Sequence, residues 1–237
     1  MSQINAEFGK GNDLNSYRGT TWYTDAGGSG TFSTGAISYT DFYGKRVSAP
    51  APSSIDVLVV AGGGSGGRGD QNCECGGGGG GGLCEHWGRS ISAGTTYTIT
   101  VGAGGAGSDT FWVNNNGSNS IFDTITAIGG GHGLSGPGGC GGGGWVDNGY
   151  HNGASATQGN SGGATGYGYR GGDWLGYGNP NMIGGGAGSD GNNRGSGRSN
   201  SITGSSVTYS AGGYGSMVDG YRIGSANSGW GGEGGGY

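Results

Sequence analysis

CECGGGGGGGLC, residues 73–84, carries an unbroken run of seven glycines from Gly76 to Gly82. Shorter blocks follow at Gly129 to Gly131, Gly141 to Gly144, Gly184 to Gly186 and Gly234 to Gly236. In all, 69 of 237 residues are glycine, and hydrophobic residues are only 30% of the chain. Soluble domains run nearer ~45–50% apolar. Glycine loses more backbone freedom on folding than any other residue. Such a chain either stays disordered or packs bare main chain against bare main chain.

Composition favours the ordered alternative. Disordered chains are poor in aromatics and rich in net charge. Here aromatics are 10%, charged residues 11%, and the net charge is -5. A threefold extended helix with a ~3.1 Å rise has no internal hydrogen bonds, so each N–H and C=O points outward. Neighbouring helices can then satisfy those groups, and only residues without a Cβ let the helices approach closely enough. Collagen is excluded, because glycine does not recur at every third place and there are only 4 prolines. A flexible linker would not be expected to interleave Trp and Tyr with its glycines.

Working outward, several segments read as strands. IDVLVV (Ile55 to Val60) is a continuous apolar run, as in a strand buried on both faces. TTYTITV (Thr95 to Val101) alternates, placing Tyr97, Ile99 and Val101 on one apolar face. SIFDTITAI (Ser120 to Ile128) and SSVTYS (Ser205 to Ser210) are weaker cases. A β segment running straight into a glycine block recurs, as in VLVVAGGGSGG, TITVGAGGAG, TAIGGGHG, MIGGGAG and VTYSAGGYG, which suggests stacked units. No window shows a 3.6-residue apolar period. The expected fold is mostly β and irregular: short strands with packed polyglycine II-type helices, a glycine-rich sandwich with essentially no α-helix. Residues 1–47 read as a separate module, 48–54 as a Pro-containing linker, and 55–237 as the glycine-rich domain.

A mildly acidic chain has few counterions to displace from a phosphate backbone, so nucleic acid is not an expected partner. No stretch approaches the ~20 apolar residues of a membrane span. Met1 to Lys10 lacks the apolar core of a signal peptide, so synthesis and folding in a cytoplasm are expected. The four cysteines, Cys73, Cys75, Cys84 and Cys140, would begin there as thiols. Free thiols, a later disulfide and a metal site with His86 all stay open. The usual C-x2–4-C ligand pairs are missing, so no metal or cofactor is expected. No nucleophile elbow or histidine in a catalytic motif points to an enzyme. Arg68-Gly69-Asp70 reads as a chance tripeptide.

Two further stretches carry a resemblance. LNSYRG (Leu14 to Gly19) followed by GAISYTDFYGKR (Gly35 to Arg46) resembles the opening module of small structural proteins of tailed bacteriophages, with Tyr39 where Met or Leu is usual. Beyond it, IDVLVVAGGG, CGGGGGGGLC, AGTTYTITVGAGGAG (Ala93 to Gly107), GSNSIF (Gly117 to Phe122) with TAIGGG, and SITGSSVTYSAGGYG (Ser201 to Gly215) follow the order seen in glycine-rich tail-fibre and adhesin proteins of those phages. The resemblance implies a virion protein of the tail, made in the host cytoplasm. Residues 1–47 would attach it to other tail proteins. The glycine-rich domain would present loops to a host surface glycan or outer-membrane protein, as a homo-oligomer such as a trimer if further subunits are needed. Relatives end in a closing strand that GWGGEGGGY lacks; it would come from another subunit, or the sheet edge would stay open. A purely structural decoration or connector protein is the alternative. An ice-binding role ranks lower, because the pairs Thr95–Thr96 and Thr20–Thr21 do not repeat at fixed spacing.

Candidate contact residues are the aromatics between glycine blocks: Trp145, Tyr150 and His151; Tyr167, Tyr169, Trp174 and Tyr177; Tyr214, Tyr221 and Trp230. Rings on rigid loops give large contact area at low entropic cost, though the same rings could be the core. Asn114 to Asn116, Asp147, Asp173, Asn192 and Asn193 could bond a glycan, but turn chemistry explains them as well.

Overall fold

The computed structural model describes residues 14–24, 27–45, 51–68, 74–174, 182–193, 195–215 and 229–233. The chain divides into two compact units, one of residues up to Ser54 with Ser90–Gly94, the other of Ile55–Arg89 with Thr95 onward.

The second unit is organised by the seven-glycine run. Gly76 to Gly82 are all buried and belong to no strand, so their polar groups need partners from elsewhere. They find them with a repeat of three. Gly77 and Gly80 donate to Met182 and Gly185, Gly78 and Gly81 to Gly232 and Gly229, and Gly79 and Gly82 to Gly131 and Ile128. The carbonyls follow the same rule. Gly76, Gly79 and Gly82 accept from Gly67, Gly64 and Ala61, and Gly77 and Gly80 accept from Gly143 and Cys140. Gly78 accepts from the Gly213 amide, and Gly81 from the Ser210 hydroxyl. A three-residue repeat with every polar group directed outward is the threefold extended helix. It runs parallel to the 182–185 segment and antiparallel to the other five neighbours.

Those six neighbours also bond to one another in a closed ring. Gly130 donates to Gly62, Gly131 to Cys140, Gly185 to Gly141, Gly184 to Gly213, Gly231 to Ala211 and Gly232 to Gly64, all at 2.8–2.9 Å. A hexagon of main chain therefore surrounds a central main chain. A Cβ on any of Gly76 to Gly81 would lie 1.9–2.6 Å from a backbone carbonyl oxygen. On Gly82 it would lie 2.1 Å from the Gln158 amide oxygen. Close approach is what requires glycine here. An outer layer continues the lattice: Gly117 donates to Gly130, Gly105 to Gly63, Gly144 to Gly172 and Gly212 to Gly195.

Short antiparallel sheets sit on this lattice. Strands β3 (Ser54–Val60), β4 (Leu83–Ser90) and β10 (Thr165–Tyr167) form one sheet in the order β10-β4-β3. Strands β5 (Ile99–Thr100), β6 (Ser120–Phe122) and β7 (Ile125–Ala127) form another. Val57, Val59, Ala61, Cys84, Ile125, Ala127 and Ala164 make a small apolar core, with Ile55 and Phe122 against it. The remaining pairs are β8 (Trp145–Val146) with β9 (Tyr150–His151), and β11 (Arg198–Asn200) with β12 (Val207–Tyr209). Helical turns among the described residues are short 3-10 segments. The fold is thus mostly β and irregular, as the composition implies.

Three local expectations change. Strand β3 is an edge strand that buries only alternate residues, Val57 and Val59, so its continuous apolar run does not mean two covered faces. Only Ile99–Thr100 of the TTYTITV stretch pairs, and Ile99 and Val101 are exposed. SIFDTITAI is a hairpin rather than one strand, turning at Asp123 with φ +53°.

The first unit has a conventional core. Hairpin strands β1 (Thr21–Tyr23) and β2 (Ser29–Thr31) accompany a cluster of Tyr17, Phe32 and Phe42, flanked by Trp22 and Ile37. Phe42 packs edge-on against Tyr17 at 5.2 Å. Asp41 Oδ2 accepts the Ser38 amide at 2.6 Å, fixing the turn Tyr39–Phe42, and Gly44 follows at φ +67°. The S-x-x-D-F-x-G part of the phage-like motif is therefore a capped turn that delivers Phe42 to the core.

Candidate functional site

Strands β8 and β9 form a three-residue-loop hairpin that grows directly out of the lattice. Gly144 is lattice-bonded to Gly172, and Trp145 is the next residue. On the other side, Glu74 exchanges two backbone hydrogen bonds with Val146 at 3.2 and 3.0 Å, just ahead of the central glycine run. In the loop, Asp147 Oδ1 accepts the Gly149 amide at 3.0 Å, an Asx turn.

The register pairs Trp145 with His151 and Val146 with Tyr150. Directly paired residues share a face of the hairpin, so the rings divide between two faces. On one face, Trp145 and His151 stack with centroids 3.8 Å apart and planes 3° apart. Trp112, from the loop around residue 111, meets Trp145 edge-to-face at 5.1 Å. On the other face, Tyr150 stacks on Trp174 at 4.4 Å and 12°. The Trp174 indole donates to Glu74 Oε2 at 2.8 Å, which locks its orientation. Tyr150 itself is 73% exposed.

Charge around the hairpin is balanced internally. Asp173 accepts two hydrogen bonds from Arg170. Those bonds hold the Asp173 carboxyl below its usual range, against the opposing effect of burial, with further help from Asn192 and the Gly153 amide. His151 Nε2 lies 3.6 Å from Asp147.

The three sequence-level clusters are thus regrouped. Trp145, Tyr150 and His151 come together, joined by Trp174 from the second cluster and by Trp112. Tyr167 lies elsewhere, with the Arg198 guanidinium 3.7 Å over its ring. Tyr169 has a half-exposed ring, but its carbonyl bonds Gly141. Deleting residues 167–177 would therefore remove lattice bonds as well as rings. Tyr214 and Trp230 line a groove together with residues 195–197 and 211–213, and the Trp230 indole donates to the Thr208 carbonyl. Tyr177 and Tyr221 lie outside the described residues.

The Asn residues mostly serve main chain. Asn114 accepts the Arg68 amide, Asn115 donates to Ala106 and Asn116 accepts the His132 amide. Cys84 and Cys140 are buried free thiols, Cys75 is buried as well, and Cys73 lies outside the described residues. Trp112 and its loop escaped the sequence reading, although FWV between SDT and NNN is an apolar triplet bounded by turn formers.

No curated protein and no solved structure matches the chain. A family model described as a glycine-rich domain matches residues 40–237. That match takes in the central run, its six neighbours and the aromatic hairpin, and the chain belongs to this glycine-rich domain family.

Proposed function

We propose that the protein is a virion component of a tailed phage, a tail-fibre or tail-tip adhesin that binds the host cell surface through its aromatic loops. The observation that carries this is the mounting of the hairpin: paired and stacked rings, partly open to solvent, stand on strands that begin one residue from a rigid glycine lattice. Preorganised aromatics of this kind lose little entropy on contact. Several copies on one particle would multiply modest contacts into firm attachment. The unit containing Tyr17, Phe32 and Phe42 would serve as the attachment module to other tail proteins, since its motif is the part that resembles other phage structural proteins.

The test is binding of fluorescently labelled protein to a panel of Gram-negative bacteria, read by flow cytometry. The proposal expects strain-selective binding that Tyr150→Ala reduces without lowering thermal stability. Uniform absence of binding across the panel, with full incorporation of the protein into particles, would favour a purely structural virion role instead.

A further inference from the structure

Phe111, Trp112 and Val113 are three successive apolar residues with exposures of 39%, 45% and 46%. Exposed runs of this length are avoided in soluble proteins unless they make a contact. The loop that carries them is held firmly. The Trp112 amide donates to the Arg68 carbonyl at 2.9 Å, and the Arg68 amide donates to Asn114. The Arg68 guanidinium lies 5.1 Å from the Phe111 ring centroid. Trp112 adopts φ +65°, a left-handed conformation that bulky residues rarely take. Such strain persists where surrounding structure enforces it. Here it seats Trp112 against Trp145.

We infer that Trp112, together with Trp145, forms a stacking site for a neutral hexopyranose of a surface glycan. The inference rests on the adhesin reading above and names its ligand class. The C–H face of a pyranose carries partial positive charge and lies well on the negative face of an aromatic ring. Its hydroxyls suit the short polar side chains of the hairpin loop, Asp147 and Asn148, which are exposed. Charge selects the neutral sugar. Arg68 is paired with Asp109, Arg170 with Asp173, and the His151 ring stacked on Trp145 has Asp147 3.6 Å from its Nε2. Each described basic side chain beside the site thus already faces a carboxylate, leaving an anionic sugar without a partner. A protein ligand would place its anchors in a filled, desolvated pocket, whereas Trp112 sits on an open loop, 45% exposed.

The experiment uses uniformly 15N-labelled full-length protein. Methyl glycosides of glucose, galactose, mannose and N-acetylglucosamine, with sialyllactose as the anionic probe, are titrated while the indole N–H resonances are followed. The expected result is a saturable shift at Trp112 and Trp145 with at least one neutral glycoside. Trp22, Trp87 and Trp230 should stay still, and sialyllactose should give no larger effect. Trp112→Ala should weaken the apparent affinity about tenfold, the scale of one aromatic contact. Trp112→Phe, which keeps a ring, should retain most of it and guards against a folding defect. Absence of shifts with all neutral glycosides, or shifts indifferent to Trp112→Ala, would overturn the inference. Cell binding without any glycoside response would leave the adhesin reading standing with a protein receptor. Glycoside binding without cell binding would leave the site and remove the adhesin reading.

Discussion

The amide of Gly79 donates to the carbonyl of Gly131 at 2.8 Å, tying the middle of the central helix to one of its six neighbours. On the opposite group, Gly79 accepts from Gly64 at 2.9 Å. A Cβ at Gly79 would stand 2.2 Å from the Cys140 carbonyl oxygen. Backbone cannot swing aside as a side-chain tip can, so Gly79→Ala has to separate helices and break their hydrogen bonds. The expected loss is about 3 kcal/mol or more. Gly159→Ala is the control, because a Cβ there meets nothing within 4 Å, and it should be neutral within about 0.5 kcal/mol. Chemical denaturation of both variants measures the difference.

The buried cysteines make a second prediction. Burial pushes the Cys84 thiol up to about 11. It does the same for Cys140, where hydrogen bonds from the Tyr169 backbone and Ser210 only partly oppose it. Reaction requires the thiolate and access to it, and both are missing. Neither thiol should be modified by a maleimide in native protein at neutral pH, and both should react once the protein is unfolded. Mass spectrometry of digested protein reads each site separately.

Glu85 supplies a pH dependence. Burial on its own would raise its pKa, but hydrogen bonds from Arg198 and Asn200 and the charge of Arg198 overcome that and hold it low. Arg198 grips both carboxylate oxygens, at 2.9 and 3.0 Å. A carboxylate with a depressed folded pKa stabilises the protein fully above its unfolded pKa of ~4.3. That stabilisation is lost as pH falls through the lower folded value. Glu85→Gln should cost about 2 kcal/mol at neutral pH, reduced from the fully buried case because Arg198 is partly exposed. The gap between variant and parent should shrink below about pH 4. Denaturant midpoints measured across that range would show it.

Much of this architecture was legible because it depends on composition. A run such as Gly76 to Gly82 has one ordered use, and the interleaved rings argued that it is ordered. The capped turn at Phe42 was marked only by the resemblance of its motif, whereas the strand ahead of the glycine run also carried a local signal. Strand β4 did not: LCEHWGRS mixes charge with apolar residues, and Glu85 is buried only because Arg198 arrives from far along the chain. The hairpin was half visible. Trp145, Tyr150 and His151 lie close in sequence, but the partners Trp112 and Trp174 are brought in by the lattice, and no short-range pattern records which glycine segments become neighbours.

The central claim is that the seven-glycine run is a hydrogen-bonded helix enclosed by six others. Amide hydrogen exchange, followed by NMR with residue assignments, tests it most directly. Each amide from Gly77 to Gly82 has a backbone acceptor at 2.7–2.9 Å, so all six should exchange slowly, with protection close to that of global unfolding. Exchange of those six amides at the rates of an open chain, in otherwise folded protein, would contradict the account.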